Sequence, residues 1–281
     1  MMYRSFRRKT KKFLQAVGIY PTGTSYKKLK NLGSKHFDSA KLIDRWLRYE
    51  KVTGLRIDWK DKCVLELGGG PVLGWALLAI ACGAKQYLFL EPAFNREIFK
   101  HVRFLRYFKE HRMQLQMVLG KKLTYKSVED IISDKRLIIL KTRAENTSLG
   151  DGVVDLVISN SFFEHVSDVS AVVTESCRVL KEGGDQYHMI DFQNHGGTLD
   201  PFEGMYDISR EEFLHQQTLL NSLRSNEFID LYKTQKPKNI DFRTYMVWEK
   251  TLPSLLERHS SWSQFSEEEL KVGSGILHVV R

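Results

Sequence analysis

The feature that most constrains this chain is an apolar run that breaks into three glycines. Val64-Leu65-Glu66-Leu67 is followed by Gly68-Gly69-Gly70-Pro71, the pattern of a buried parallel strand ending in a tight turn. Trp75 to Cys82 is an Ala/Leu/Ile stretch of helical character that Gly83 stops. Gln86 to Leu90 is a second apolar run, closed by Glu91-Pro92. The unit reads strand, glycine turn, helix, strand, acid. In a doubly wound α/β sheet it sets a nucleoside in the crevice at the carboxyl ends of the strands, with the acid on the ribose hydroxyls.

Details of the turn decide which nucleoside. A dinucleotide fingerprint needs Gly-x-Gly-x-x-Gly, and here Gly68-x-Gly70 is followed by Leu73, with Gly74 one residue late. Glu66 also brings a negative charge to the place a pyrophosphate would take, whereas helix N-termini favour anions. Both features argue against a hydride-transfer enzyme and for a cationic ligand. Glu66-Leu67-Gly68-Gly69-Gly70, with Glu91 after the second strand, resembles the class I S-adenosylmethionine-dependent methyltransferases. Their first motif is an acid, one residue and Gly-x-Gly, and an acid after their second strand holds the ribose. The resemblance implies S-adenosyl-L-methionine as cofactor, bound by Glu66, Gly68, Gly69, Gly70, Glu91 and Pro92.

Strands and helices continue to alternate downstream. A basic helix at about Arg96 to His111 carries Ile98, Phe99, Val102, Leu105 and Phe108 as its apolar stripe. Leu137 to Leu140 is the third strand, Asp151-Gly152 a turn, Asp155 to Asn160 the fourth strand and Tyr187 to Phe192 the fifth. A helix from about Val169 to Leu180 lies between the last two, and Lys181-Glu182-Gly183-Gly184 is expected to end it with a glycine cap. The alternation predicts a mostly parallel sheet covered on both faces. Asp155 to Ser161 with Glu164-His165, and Arg178 to Gly184, are similar to the fourth- and fifth-strand motifs of the same family. The resemblance thus spans about residues 62 to 195. It implies an α/β fold with a doubly wound, mostly parallel seven-stranded Rossmann-like sheet, a closing antiparallel hairpin and a helical insertion over the acceptor. It also implies cofactor contacts from Ala144, Asn160 and His165. One departure stands out. Where the family often has Asp-Ala after the third strand, this chain has Arg143-Ala144-Glu145. Arginine cannot accept from the adenine amino group, so either Glu145 substitutes or the backbone holds the base alone.

The flanks divide as 1–60, a basic helical cap; 61–195, the cofactor-binding core; 196–235, a helical acceptor-covering insertion; and 236–281, strands that complete the sheet. In the last segment Thr244 to Trp248 and Ile276 to Val280 read as strands, and Ser266-Glu267-Glu268-Glu269 as a capping box. Net charge is +9, and Arg4, Arg7, Arg8, Lys9, Lys11 and Lys12 concentrate it at the N-terminus. Residues 3–17 place Tyr3, Phe6, Phe13, Leu14 and Val17 on one helical face. Such a helix either caps the crevice with solvated charges or lies on an anionic membrane surface. No apolar run approaches the ~20 residues of a bilayer span. The three cysteines form no Cys-x-x-Cys pair and nothing indicates an oxidising compartment, so the cytoplasm is expected, with peripheral membrane contact as the variant.

Methyl transfer from a sulfonium is an in-line displacement in which positioning does much of the work, and an aliphatic hydroxyl acceptor also needs a base or a metal. Asp191-Phe192-Gln193-Asn194-His195 resembles the Asp-x-x-x-His ending of a bacterial branch near surface-sugar biosynthesis, and Asn221-x-Leu223-Arg224 another piece of it. The resemblance implies His195 as general base, Asp191 orienting it or holding a hydroxyl, and Asn221 and Arg224 on the substrate. No His, Asp or Glu pair has tight ligand spacing on a helix, so no metal is expected. The reading is an enzyme that O-methylates a sugar, glycan or other small molecule. Its competitors are an RNA methyltransferase, disfavoured because Asn160-Ser161-Phe162-Phe163 lacks an Asn-Pro-Pro-Tyr tetrapeptide and no nucleic-acid module is evident, and a methyltransferase-fold binding protein that has lost its chemistry.

Overall fold

In the computed structural model, residues 37–195, 200–216, 220–249 and 252–281 are described. The basic N-terminal segment, and with it the amphipathic face over residues 3–17, lies outside them. Seven strands form one sheet in the order β3-β2-β1-β4-β5-β7-β6. They are β1 (Cys63–Leu67), β2 (Gln86–Leu90), β3 (Leu137–Leu140), β4 (Val154–Asn160), β5 (Leu180–Asp191), β6 (Asn239–Val247) and β7 (Val272–Val280). The first five are parallel; β7 runs antiparallel to β5 and to β6. The chain moves outward from β1 to β3 on one side and restarts at β4 on the other, so the crevice at the carboxyl ends opens between β1 and β4.

Two cores cover the sheet. Val64, Tyr87, Phe89, Ile158 and Tyr187 face helices α1 (Ser39–Thr53), α2 (Ala76–Ala81) and α3 (Val102–Leu119). Leu65, Leu67, Leu88, Val157 and Ile190 face α5 (Val169–Val179) and α7 (Ser225–Lys233). The period-2 alternation along β1 and β2 thus sorts side chains between two buried layers, which explains why both read as unbroken apolar runs. A short α4 (Val128–Ile132) joins the first layer. Among the described residues, no helix is long and apolar enough to cross a membrane.

Three expectations change on contact with the fold. The helix expected from Arg96 is broken at His101, whose extended backbone and side chain, accepting from the Arg103 N–H at 3.2 Å, start α3 afresh. The break resets the helical phase, so Phe104, Tyr107, Phe108, His111 and Leu115 are buried while Val102 and Leu105 face out. The Lys181 to Gly184 tract caps no helix. α5 passes directly into β5 at Leu180, and a β-carbon on Gly184 would stand 2.7 Å from the Leu180 side chain and 3.0 Å from the Asp155 carbonyl. That glycine serves close strand contact. The accessory helices also divide differently from the expected 196–235. α7 packs Phe228 and Tyr232 onto the sheet, whereas a third core gathers Phe202, Tyr206 and Phe213 with Leu255, Trp262 and Leu270. This core joins α6 (Arg210–Gln216) to the excursion between β6 and β7, including α8 (Pro253–Leu256) and α9 (Glu267–Leu270). The Ser266–Glu269 capping box is present at α9.

Candidate active site

The glycine turn forms as the sequence requires. Gly68 and Gly70 have φ of +65° and +71°, and Leu73 and Gly74 follow at +66° and +45°. A β-carbon on Gly68 would meet the Phe162 ring at 2.2 Å, and one on Gly69 would meet Phe89 at 2.2 Å, so both glycines admit neighbouring rings. Only Gly70 faces open space, with nothing within 4 Å of that point. Beside it, Glu91 accepts from the Gly70 N–H at 3.2 Å and from the Ala93 N–H at 3.1 Å. Burial raises the Glu91 carboxyl and these two donors pull it back. Pro92 is exposed on the rim.

Glu66 does not share that rim. It is 3% exposed, accepts from the Tyr87 hydroxyl at 2.7 Å, and sits under the turn where a β-carbon on Gly74 would lie 1.9 Å from its Oε2. Burial pushes its carboxyl up to about 8, against hydrogen bonds from Tyr87 and the Trp75 backbone and with a further push from Glu91. Burial therefore favours the protonated form of Glu66 under the turn, and the acid at the crevice is Glu91. The expectation of two carboxylates facing one cationic ligand is corrected to one at the rim and one beneath.

On the other wall, Ala144 is buried and Glu145 accepts from the exposed Arg143 guanidinium at 3.1 Å. Asn160 ends β4 with a buried Oδ1 that has no hydrogen-bond partner. Open space at Gly70, an acid with backbone support and an orphan amide oxygen at the end of β4 fit a nucleoside cofactor, and Glu145, one candidate for the adenine amino group, is paired with Arg143.

The acceptor side is assembled from distant parts of the chain. Asp191 ends β5, and its Oδ1 accepts from the Gln193 N–H and side-chain amide, both at 3.0 Å. His195 Nε2 stands 3.7 Å from Asp191 Oδ2. Burial works to raise Asp191, but hydrogen bonds from His195 and Gln193 outweigh it and hold the carboxyl below its usual range. The exposed His165 ring meets His195 at 5.2 Å between centroids. His188, on the opposite face of β5, is fully buried between Ser159 and Gln186, and burial with nearby His278 lowers it to about 3.

Asn221 clamps the turn after β4: its side-chain amide donates to the carbonyls of Phe163 and Val166, at 2.7 and 3.0 Å, and its N–H donates to the Glu164 carbonyl at 2.8 Å. Arg224 is 1% exposed and donates to the Tyr206 hydroxyl and the Phe192 carbonyl while stacking over both rings. Both residues, expected to touch substrate, tie the accessory core to the sheet; their side chains border the same narrow crevice as Glu164 and Asp191. Glu164, quoted from sequence only as part of the fourth-strand motif and given no role there, is the residue the tertiary structure adds. Burial raises its carboxyl to about 8, with the Asp191 charge raising it further; its own backbone N–H, Arg45 of α1 and the Asp191 backbone N–H oppose. Its position beside His165 was the available signal. Glu164, His165 and His195 carry ligand-type atoms within 4.8 Å of one another, although no helical spacing announced them.

Residues 103–187 match a methyltransferase domain family. Over that stretch the chain is similar to methyltransferases. The matched span runs from α3 into β5 and leaves out the glycine turn. Among solved structures, phosphoethanolamine N-methyltransferase 2 of Haemonchus contortus, in complex with phosphomonomethylethanolamine and S-adenosylhomocysteine, is 14% identical. That match covers 84% of this chain and 53% of the other, with a TM-score of 0.49. An S-adenosylmethionine dependent methyltransferase of Mesorhizobium loti is 13% identical over 83% and 98% of the two chains, TM-score 0.47. No curated protein matches the sequence. The domain has the Rossmann-like α/β fold of its class, S-adenosylmethionine is its cofactor and its substrate is a methyl acceptor.

Proposed function

We propose that the protein transfers the methyl group of S-adenosylmethionine to a hydroxyl of a sugar, glycan or other small molecule. The observation that carries this reading is the His195–Asp191 pair at the end of β5. Asp191, held ionised, fixes the His195 ring through Nε2 and stabilises the imidazolium that forms, which leaves Nδ1 as the base. Bound cofactor supplies the electrophilic methyl group. Glu91 orients its ribose, Gly70 admits it, and Asn160 offers an acceptor at the end of β4. His195 would take the hydroxyl proton as the acceptor oxygen receives the methyl group. Asn221 and Arg224 keep the acceptor crevice in shape against the accessory core, and water exclusion there favours the displacement.

The test is a labelled-methyl assay on fractionated lysate with wild type and His195→Ala. Label in glycan or another small hydroxylated molecule is expected, with turnover ~10²–10⁴-fold lower in the variant and calorimetric cofactor affinity unchanged. Label in RNA, or an unimpaired variant, overturns the reading. The basic N-terminal segment fits an anionic or membrane-carried acceptor; a truncation lacking residues 1–20 that keeps full activity and binding to anionic vesicles would exclude that part.

A further inference from the structure

Buried carboxylates in this molecule are otherwise satisfied. Glu66 takes the Tyr87 hydroxyl, and Glu175 takes Thr147 and the Arg178 guanidinium. Glu164 is the exception among the described residues: 2% exposed, with neither Oε1 nor Oε2 in a hydrogen bond. A buried carboxyl without partners either keeps its proton, as burial favours here, or gives it up to something positive that meets it. Arg45 contributes only its field from α1. The groups that do lie next to the carboxylate are two imidazoles, His165 and His195, with all three ligand atoms inside 4.8 Å. A carboxylate with two imidazoles is the donor set of open zinc sites, in which three protein ligands leave a fourth position free.

We infer that Glu164, His165 and His195 form a binding site for a divalent transition-metal cation of the zinc class. Two of the ligands sit on the turn that Asn221 clamps through three hydrogen bonds, so their backbone is fixed before the ion arrives. The third comes from the chain just past β5, and both rings are exposed, which lets them turn inward to the ~2.0–2.1 Å metal–nitrogen distance. Asp191 steadies His195 from behind, as carboxylates do behind metal-bound histidines. The inference rests on the placement of these side chains and not on the acceptor proposed above. It does bear on it, because a cation and a proton compete for the same ring of His195.

Cobalt(II) titration of cofactor-free full-length protein, followed by visible absorption and calorimetry, tests the site. One equivalent is expected to bind with the bands of nitrogen and oxygen coordination, and zinc should displace it. Glu164→Gln and His195→Ala are each expected to weaken binding at least tenfold, and His259→Ala, in the accessory region, to leave it unchanged. His195 is at the surface, so its variant reports binding even if Glu164→Gln unfolds. Absence of one-equivalent uptake, or uptake that survives in both variants, overturns the inference. Cofactor affinity and methyl transfer, measured on metal-free protein, give separate readouts, so failure of this site and failure of the proposed reaction are told apart.

Discussion

The two ends of the crevice are built in opposite ways. At the cofactor end, β1, the glycine turn, α2, β2 and Glu91 are contiguous in sequence, and every contact that shapes the turn is local or one strand away. At the acceptor end, Arg45, Glu164, Asp191, His195, Asn221 and Arg224 come from four separate stretches: α1, the turn after β4, the end of β5 with the chain just past it, and the segment leading into α7. The first end is held by backbone conformation and steric exclusion around glycines. The second is held by long-range hydrogen bonds from buried polar side chains. The difference teaches that a cofactor site can be inherited as one stretch of chain, whereas an acceptor site is assembled by whatever the sheet brings together.

Substitutions at the two ends should separate these modes. Gly74→Ala forces a β-carbon onto Glu66 at a φ of +45°. Overpacking and the left-handed backbone together are expected to cost ~2–5 kcal/mol in denaturant unfolding. Gly70→Ala, facing open space, should show only the backbone part of that loss; equal stability of the two variants would break the account of Glu66 beneath the turn.

Glu66 also predicts a pH dependence. Its folded carboxyl is held up to about 8, above its ordinary 4.5, so the folded state retains a proton that the unfolded state releases. Its contribution is complete below about pH 4.5 and is lost as pH rises through about 8. Unfolding free energy should therefore fall between pH 5 and 9 by an amount on the order of 2–4 kcal/mol. Glu66→Gln should remove part of that slope and leave the share of Glu164, whose carboxyl burial raises in the same direction; an unchanged slope would assign the whole dependence to other groups.

At the acceptor end, Arg224→Lys removes the forked contacts to Tyr206 and Phe192. It is expected to lower stability by ~2–3 kcal/mol while cofactor affinity, read by calorimetry below the melting transition, stays the same. Loss of cofactor binding there would mean that the two ends are coupled. The smallest effect is expected for Glu91→Ala: cofactor affinity ~10–100-fold weaker with the melting temperature almost unmoved.

Much of the sheet was legible in the sequence. β2 and β3 fall on the residues expected, and β1, β4 and β7 differ only by extension at their starts, whereas β6 begins at Asn239 and ends before the expected Trp248; short apolar runs bounded by turns have few other ways to be buried. Gly183-Gly184 misled because a glycine pair after a helix also suits a crowded strand start. The helix stripe after Glu91 failed for a related reason: His101 interrupts the helix, and residue periodicity cannot register a change of phase. Arg224 read as a substrate residue from the motif it resembles; only the third core, drawn from residues on both sides of β6, gives it a buried place.

The sequence by itself determined the strand–turn–helix unit and the position of Glu91, since steric demands on glycines and alternating burial act over a few residues; the kind of cofactor is what the family resemblance implies. Only the tertiary structure decided that Glu66 lies under the turn, that Asn221 and Arg224 serve as ties, and that Glu164 meets His165 and His195. Those outcomes depend on pairing across the sheet, where the distance between side chains bears no relation to their separation along the chain.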